Sequence, residues 1–229
     1  MIRTVVLDIE GTTSATAYVT DTLFPYSRAH FAEYIERHRG EPDLERVLEN
    51  VRAEIGDPGA DHTLVVAQLE AWADGDAKIE PLKAIQGWIW QEGFARGDLV
   101  AHFYPDVAPA LRRWHAEGLE LAVYSSGSVV AQRAWFGHGN EGDLNPLIAH
   151  NFDIETAGPK REVDSYRKIA SALGREPAAL LFCSDLTAEL DAARAAGWHT
   201  IGVRRPGEPN ERTGVGDHHE VASFAAIEL

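Results

Sequence analysis

Acidic residues follow the first apolar run of the chain. Residues 4–7 read TVVL, and Asp8, Glu10 and Thr12 come directly after them. A second run, LELAVY over residues 119–124, leads into Ser125, Ser126 and Gly127. A third, LLFC over residues 180–183, leads into Ser184 and Asp185, with Glu189 about one helical turn further on. Lys160 stands in a Gly158-Pro159-Lys160 loop. Brought together, these segments would place acids, hydroxyls and one lysine in a single site. Two carboxylates about 5 Å apart repel by roughly 3 kcal/mol at an effective dielectric near 20, which raises one pKa by about two units. A divalent cation removes that conflict. Hard oxygen donors without cysteine or clustered histidine favour Mg²⁺ over Zn²⁺. Mg²⁺ beside a lysine and serine hydroxyls makes a phosphate site, so a small-molecule phosphate is the expected partner.

Convergence requires a particular arrangement of elements. The β-branched-rich run at residues 4–7 has the pattern of a strand buried on both faces, and residues 119–124, 180–183 and 200–203 repeat it. Helical patterns over residues 107–117, 163–173 and 188–196 separate these runs, with Gly118, Gly174 and Gly197 at their ends. Strand and helix alternating at this spacing predict an α/β fold, a parallel sheet with helices on both faces. In such sheets ligands bind beyond the carboxyl ends of the strands, which is where the acids and serines fall.

Residues 18–97 form an insertion far longer than a crossover needs. Leu44, Val47, Leu48, Val51 and Ile55 recur at helical spacing, as do Leu82, Ile85 and Ile89, while Asp57-Pro58-Gly59 and Asp74-Gly75-Asp76 mark turns. The expected organisation is a core of residues 1–17 and 98–229 with a helical second domain over 18–97. The Gly-, Pro- and charge-rich stretch 204–219 is expected as surface loop.

Composition narrows the function classes. Thirty-six acidic against 21 basic residues give a net charge of −15, which repels nucleic-acid backbones and anionic membranes. No apolar run reaches the roughly 20 residues that span a bilayer. Asp8 and Glu10 interrupt the early apolar run, unlike a signal peptide. A soluble, cytoplasmic protein is expected, and a monomer, since no association seam is evident. The single cysteine, Cys183, excludes an internal disulfide framework and a thiolate metal cluster. No G-x-G-x-x-G follows the first strand, which removes a dinucleotide-binding dehydrogenase.

DIEGT after a strand, a serine after the second, a loop lysine and SDLTAE after the third resemble the four motifs of haloacid dehalogenase-type phosphohydrolases. DIEGTT, DTLFPY, YSSGSVVAQRAWFGH, EGDL and SYRKIA resemble, more narrowly, the enolase-phosphatase family of methionine salvage, whose glutamate at position 10 replaces the usual aspartate. The resemblance is weakest over residues 40–76 and after Gly207. It implies a Rossmann-like core with an inserted helical cap, and Mg²⁺ as cofactor. It implies Asp8 as nucleophile and metal ligand, and Glu10 as acid/base whose backbone carbonyl helps hold the metal. Ser125 and Ser126 would bind the phosphoryl group, Lys160 would neutralise charge on nucleophile and phosphate, Asp185 would complete the metal shell, and Glu189 would stand behind them. The implied substrate is 2,3-diketo-5-methylthiopentyl-1-phosphate, enolised and then dephosphorylated. The competing enzyme reading is a related phosphatase on another small phosphate ester, without enolisation. A catalytically silent relative would lack the nucleophile or the metal acid, and both are present.

Simpler structural roles stand beside these. Ser125-Ser126-Gly127 also suits a helix N-cap, and Glu189 also suits a solvent-facing helix position. Cys183, within a strand, is expected as a buried structural thiol. His218 and His219 are expected at the surface, and His138, between two glycines, outside catalysis. Trp72, Trp88 and Trp90 are expected in the core of the insertion. Tyr18, Phe24 and Tyr26 are the candidates to line an apolar pocket for a methylthio tail.

Overall fold

The computed structural model describes residues 1–75, 77 and 79–229. Six strands form one parallel sheet: β1 (Thr4–Leu7), β2 (Glu120–Tyr124), β3 (His150–Phe152), β4 (Leu180–Ser184), β5 (His199–Val203) and β6 (His219–Val221). Their order is β3-β2-β1-β4-β5-β6. β1 is central, with Leu7 in register with Val123 on one side and Cys183 on the other. The strand order therefore reverses at β1, and the crevice beyond its carboxyl end is where an open α/β sheet binds ligands. Val5, Val6 and Leu7 are fully buried, as the double-sided apolar pattern requires.

The four strands expected from the sequence are present, with ends shifted by no more than a residue. The edge strands β3 and β6 were not expected; at three residues each (HNF and HEV) they are too short to show a pattern. Helices α5 (Val107–Ala116), α6 (Val129–Gly137), α7 (Val163–Leu173) and α8 (Thr187–Ala195) connect the strands. One core layer joins Val6, Tyr124 and Phe182 to Tyr166 and Ile169 of α7 and to Leu190 of α8. Each such large apolar side chain contributes about 1.5–3 kcal/mol through burial. Cys183 is fully buried in β4, as a structural thiol should be.

The stretch expected as surface loop is more ordered than its composition suggests. It holds a 3₁₀ turn, Pro209–Arg212, and leads into β6. Arg205, Glu208 and His218 are buried within it. His218 meets Thr200 Oγ1 at 2.7 Å and Asp191 Oδ1 at 3.1 Å, so of the two histidines only His219 is at the surface. These residues are held by polar bonds rather than apolar burial, and polar bonds leave no periodicity to read. Gly202 of β5 lies flat against Val215 from this stretch, leaving no room for a Cβ.

The chain forms two compact units, Met1–Thr16 with Val100–Leu229, and Ala17–Leu99. The second consists of α1 (Phe24–Arg37), α2 (Pro42–Ile55), α3 (His62–Asp74) and α4 (Glu80–Arg96), preceded by a π-helical turn, Val19–Leu23. Proline in its first turn, acidic Asp43 and Glu45 beside it and Arg52 in the last turn favour α2 at both ends. Its Leu44, Leu48 and Val51 pack with Phe31, Leu69, Ile85 and Ile89, and Trp72 and Trp88 lie partly buried against them. Trp90 instead donates its indole N–H to the Leu23 carbonyl at 2.8 Å. Tyr26 has a structural role here: its hydroxyl bonds Asp98 and Arg96, and its ring covers Gly93. Of the expected turn at residues 74–76, Asp76 lies outside the described residues.

Candidate active site

Asp8 is the first residue beyond β1. Its N–H continues the ladder to the Cys183 carbonyl at 3.0 Å, so the backbone enters the loop in a fixed direction. The next residues turn back at once, with Thr12, Thr13 and Ser14 all donating N–H groups to the Ile9 carbonyl. Gly11 makes this possible with a φ of +72°, and a Cβ at that position would strike Oδ2 of Asp185. Thr13 donates its hydroxyl to the Asp8 carbonyl and Thr12 donates its own to Asp8 Oδ2, both at 3.0 Å. Asp8 is 4% exposed.

Lys160 reaches this acid from a different part of the chain. Its ammonium ion pairs with Asp8 Oδ1 and, at 2.7 Å, with Glu189 Oε2. Tyr166 fixes the loop by donating to the Lys160 carbonyl, and Tyr124 donates to the Gly158 carbonyl. Glu189, in the first turn of α8, also accepts from Ser184 Oγ at 2.8 Å. It is buried and paired, so the solvent-facing alternative is overturned. Burial pulls the Lys160 pKa down, but the two carboxylates override it and hold the ammonium above its ordinary value. Burial and the Asp8 charge push Glu189 up, against Lys160 and Ser184.

Asp185 follows β4 on the same edge. Burial, reinforced by Asp8, pushes its carboxyl up to about 7, with Asn210 opposing. Asn210 donates Nδ2–H to Asp185 Oδ2 at 2.7 Å. The charge balance is informative. If all were ionised, Asp8, Glu189 and Asp185 against one ammonium would leave two negative charges, the amount a divalent cation neutralises. Among the described residues, no group of three or more His, Cys, Asp or Glu side chains is arranged to hold a metal. A cation here would rest on two carboxylates, Asp8 and Asp185, with remaining positions for a carbonyl, water and substrate. That pattern suits Mg²⁺, which gives up its waters reluctantly.

The remaining expected residues line the same edge. Ser125, buried at the end of β2, donates its N–H to the Phe152 carbonyl, and its hydroxyl accepts from Gly127 N at 3.3 Å. Ser126 and Glu10 are exposed. The N-cap of α6 is Ser128, which accepts from Ala131 N, so the capping role expected at Ser125 and Ser126 belongs to a later serine.

Sequence reasoning missed the supports from the loop after β5. Arg205, 3% exposed, donates Nε–H to the Thr12 carbonyl at 2.9 Å, ion pairs with Asp106 and lies 4.4 Å from the Tyr104 ring centroid. Glu208 accepts from Thr16 N and from the Tyr104 hydroxyl. The rule that ligands gather beyond strand ends extends to this loop as to the others, but its polar composition hides it. An open depression of about 380 Å³ beside Met1, Ile2 and His199 lies at the opposite ends of the strands and contains none of these residues.

A family model described as haloacid dehalogenase-like hydrolase matches residues 2–197, the class of protein that this sheet and its acidic edge define. Enolase-phosphatase E1 of Streptomyces avermitilis is 57% identical over 228 residues, covering 100% of this chain and 95% of that protein. Enolase-phosphatase E1 of Azotobacter vinelandii is 49% identical, covering 99% and 97%. The chain belongs to the enolase-phosphatase family of haloacid dehalogenase-like hydrolases. Among solved structures, the UTR4 protein of Saccharomyces cerevisiae superposes with a TM-score of 0.84 at 29% identity, covering 99% of this chain and 100% of that one. CbbY of Rhodobacter sphaeroides, at 18% identity and a TM-score of 0.62 over 99% of this chain and 96% of its own, shares the fold.

Proposed function

We propose that this enzyme enolises 2,3-diketo-5-methylthiopentyl-1-phosphate and then dephosphorylates it to the acireductone, within methionine salvage. The observation that carries the reading is the buried contact of Lys160 with Asp8 and Glu189 at the carboxyl edge of β1, in a chain matched end to end by relatives named Enolase-phosphatase E1. Asp8 attacks phosphorus, the bond from phosphorus to the enol oxygen breaks, and Glu10 protonates the departing oxygen. Glu10 then takes a proton from water, the water oxygen attacks the aspartyl-phosphate, and phosphate leaves with Asp8 restored. Ser125 and Ser126 donate to phosphoryl oxygens, and Lys160 offsets the charge gathered on Asp8 and the phosphoryl group. Mg²⁺, held by Asp8, Asp185 and the Glu10 carbonyl, would supply charge neutralisation at the phosphoryl group and polarise the diketone. The helical unit Ala17–Leu99 serves as the family's cap insertion, and the protein acts as a cytoplasmic monomer on this small phosphate.

Incubation of the diketo phosphate with enzyme and Mg²⁺ should give an enol absorbance that rises before inorganic phosphate is released. Chelation of Mg²⁺ should stop phosphate release. Phosphate appearing with no enol at any stage would instead favour a plain phosphatase of the same family.

A further inference from the structure

The two acids expected to hold the cation are supported by different kinds of partner. Asp8 is paired with a lysine, whereas Asp185 receives a neutral amide, from Asn210 in the turn Pro209–Arg212. The amide bonds Oδ2, and this same oxygen lies against the backbone of Gly11. Oδ2 therefore lies between the Asn210 amide and a residue without a side chain, and Oδ1 is outside both of these contacts. A neutral donor can orient a carboxylate without cancelling its charge, whereas a lysine or arginine at this place would compete with the cation. Partners of this kind commonly fix the orientation of metal-binding carboxylates.

We propose that Asn210 is a positioning residue for the cation, holding Asp185 so that a single oxygen is presented to Mg²⁺. The inference rests on the reading of Asp8 and Asp185 as the cation's ligands. It also gives the loop after β5 a part in metal binding, although it contributes no ligand. Asn210 is only half-buried, on a short turn, so its replacement should leave the sheet intact.

The test is calorimetric titration of Mg²⁺ into the full-length protein and into N210A, with the Tm of each measured in chelator. Mg²⁺ affinity should fall about tenfold in N210A, the lower end of the effect expected for such a support. The Mg²⁺ concentration giving half-maximal turnover should rise in parallel, so that activity lost at low Mg²⁺ returns as Mg²⁺ is raised. An unchanged Kd with a lowered Tm would assign Asn210 a purely structural role and overturn the proposal. No Mg²⁺ binding by the unsubstituted protein would overturn the metal reading itself, a separate outcome. Should N210A not fold, N210S, whose side chain is too short to bridge to Asp185, is titrated in the same way and decides by the same criteria.

Discussion

Lys160 shows how a buried cation is kept charged. It is 7% exposed, yet two carboxylates hold its proton more firmly than water would. Replacing it with methionine keeps the bulk and removes the charge, leaving Asp8 and Glu189 facing each other. K160M should lose about 3 kcal/mol of stability in urea unfolding, the cost of leaving buried charges unpaired. Turnover should fall at least about a hundredfold, as when a charge-stabilising donor is removed. Adding E189Q to K160M should recover part of the stability but not the turnover, because the second substitution removes a repulsion without restoring the ammonium. Equal loss of stability in the single and double variants would show that Lys160 acts through packing alone. The convergence of Asp8, Lys160 and Asp185 on one sheet edge was legible in the sequence because each follows an apolar run or ends a glycine-proline loop. Asn210 was not, because one side-chain bond to a distant carboxylate leaves no trace in its neighbours.

Among the elements, the loop after β5 links separate parts of the site. Arg205 ties the Thr12 carbonyl in the β1 loop to Asp106 at the start of α5, while Ser223 Oγ and Phe224 N also donate to Asp106. Burial pushes the Asp106 carboxyl up, but Arg205 and these donors more than offset it and hold its pKa below the usual value. Because the folded value lies below the unfolded one, ionised Asp106 favours the folded state above about pH 4. That contribution is lost as pH falls through the lower folded value. D106N should therefore cost about 3 kcal/mol at pH 7, mostly by leaving the Arg205 charge buried without its partner. The gap from the unsubstituted protein should narrow as urea unfolding is repeated at lower pH, down to pH 3. A gap constant with pH would remove the ion pair as its cause. Helices α5, α7 and α8 were predictable from their apolar spacing to within about a residue, and α7 was placed without error. The tie between loops was not, since Asp106 is distant in sequence from Arg205 and Glu208, whose own stretch reads as surface loop.

Across the whole molecule, each of the two units has its own apolar cluster, Phe182 and Tyr166 in one and Leu48 and Ile85 in the other. Leu48 is fully buried on α2. Its truncation to alanine should cost about 2–5 kcal/mol. Hydrogen exchange should show that loss chiefly as reduced protection across α1–α4, with the amides of β1, β2 and β4 less affected. Equal loss in both units would mean that the chain opens as one cooperative body.

Gly202 belongs to this larger picture although it contacts no reacting group. Any side chain there would push Val215 away, and the backbone between the two residues carries Asn210. A single added methyl would thus reach Asp185 through the intervening chain, as a misplaced amide rather than a missing one. The thinnest residue of the sheet works as a spacer: its lack of bulk sets how far the far end of the loop can reach.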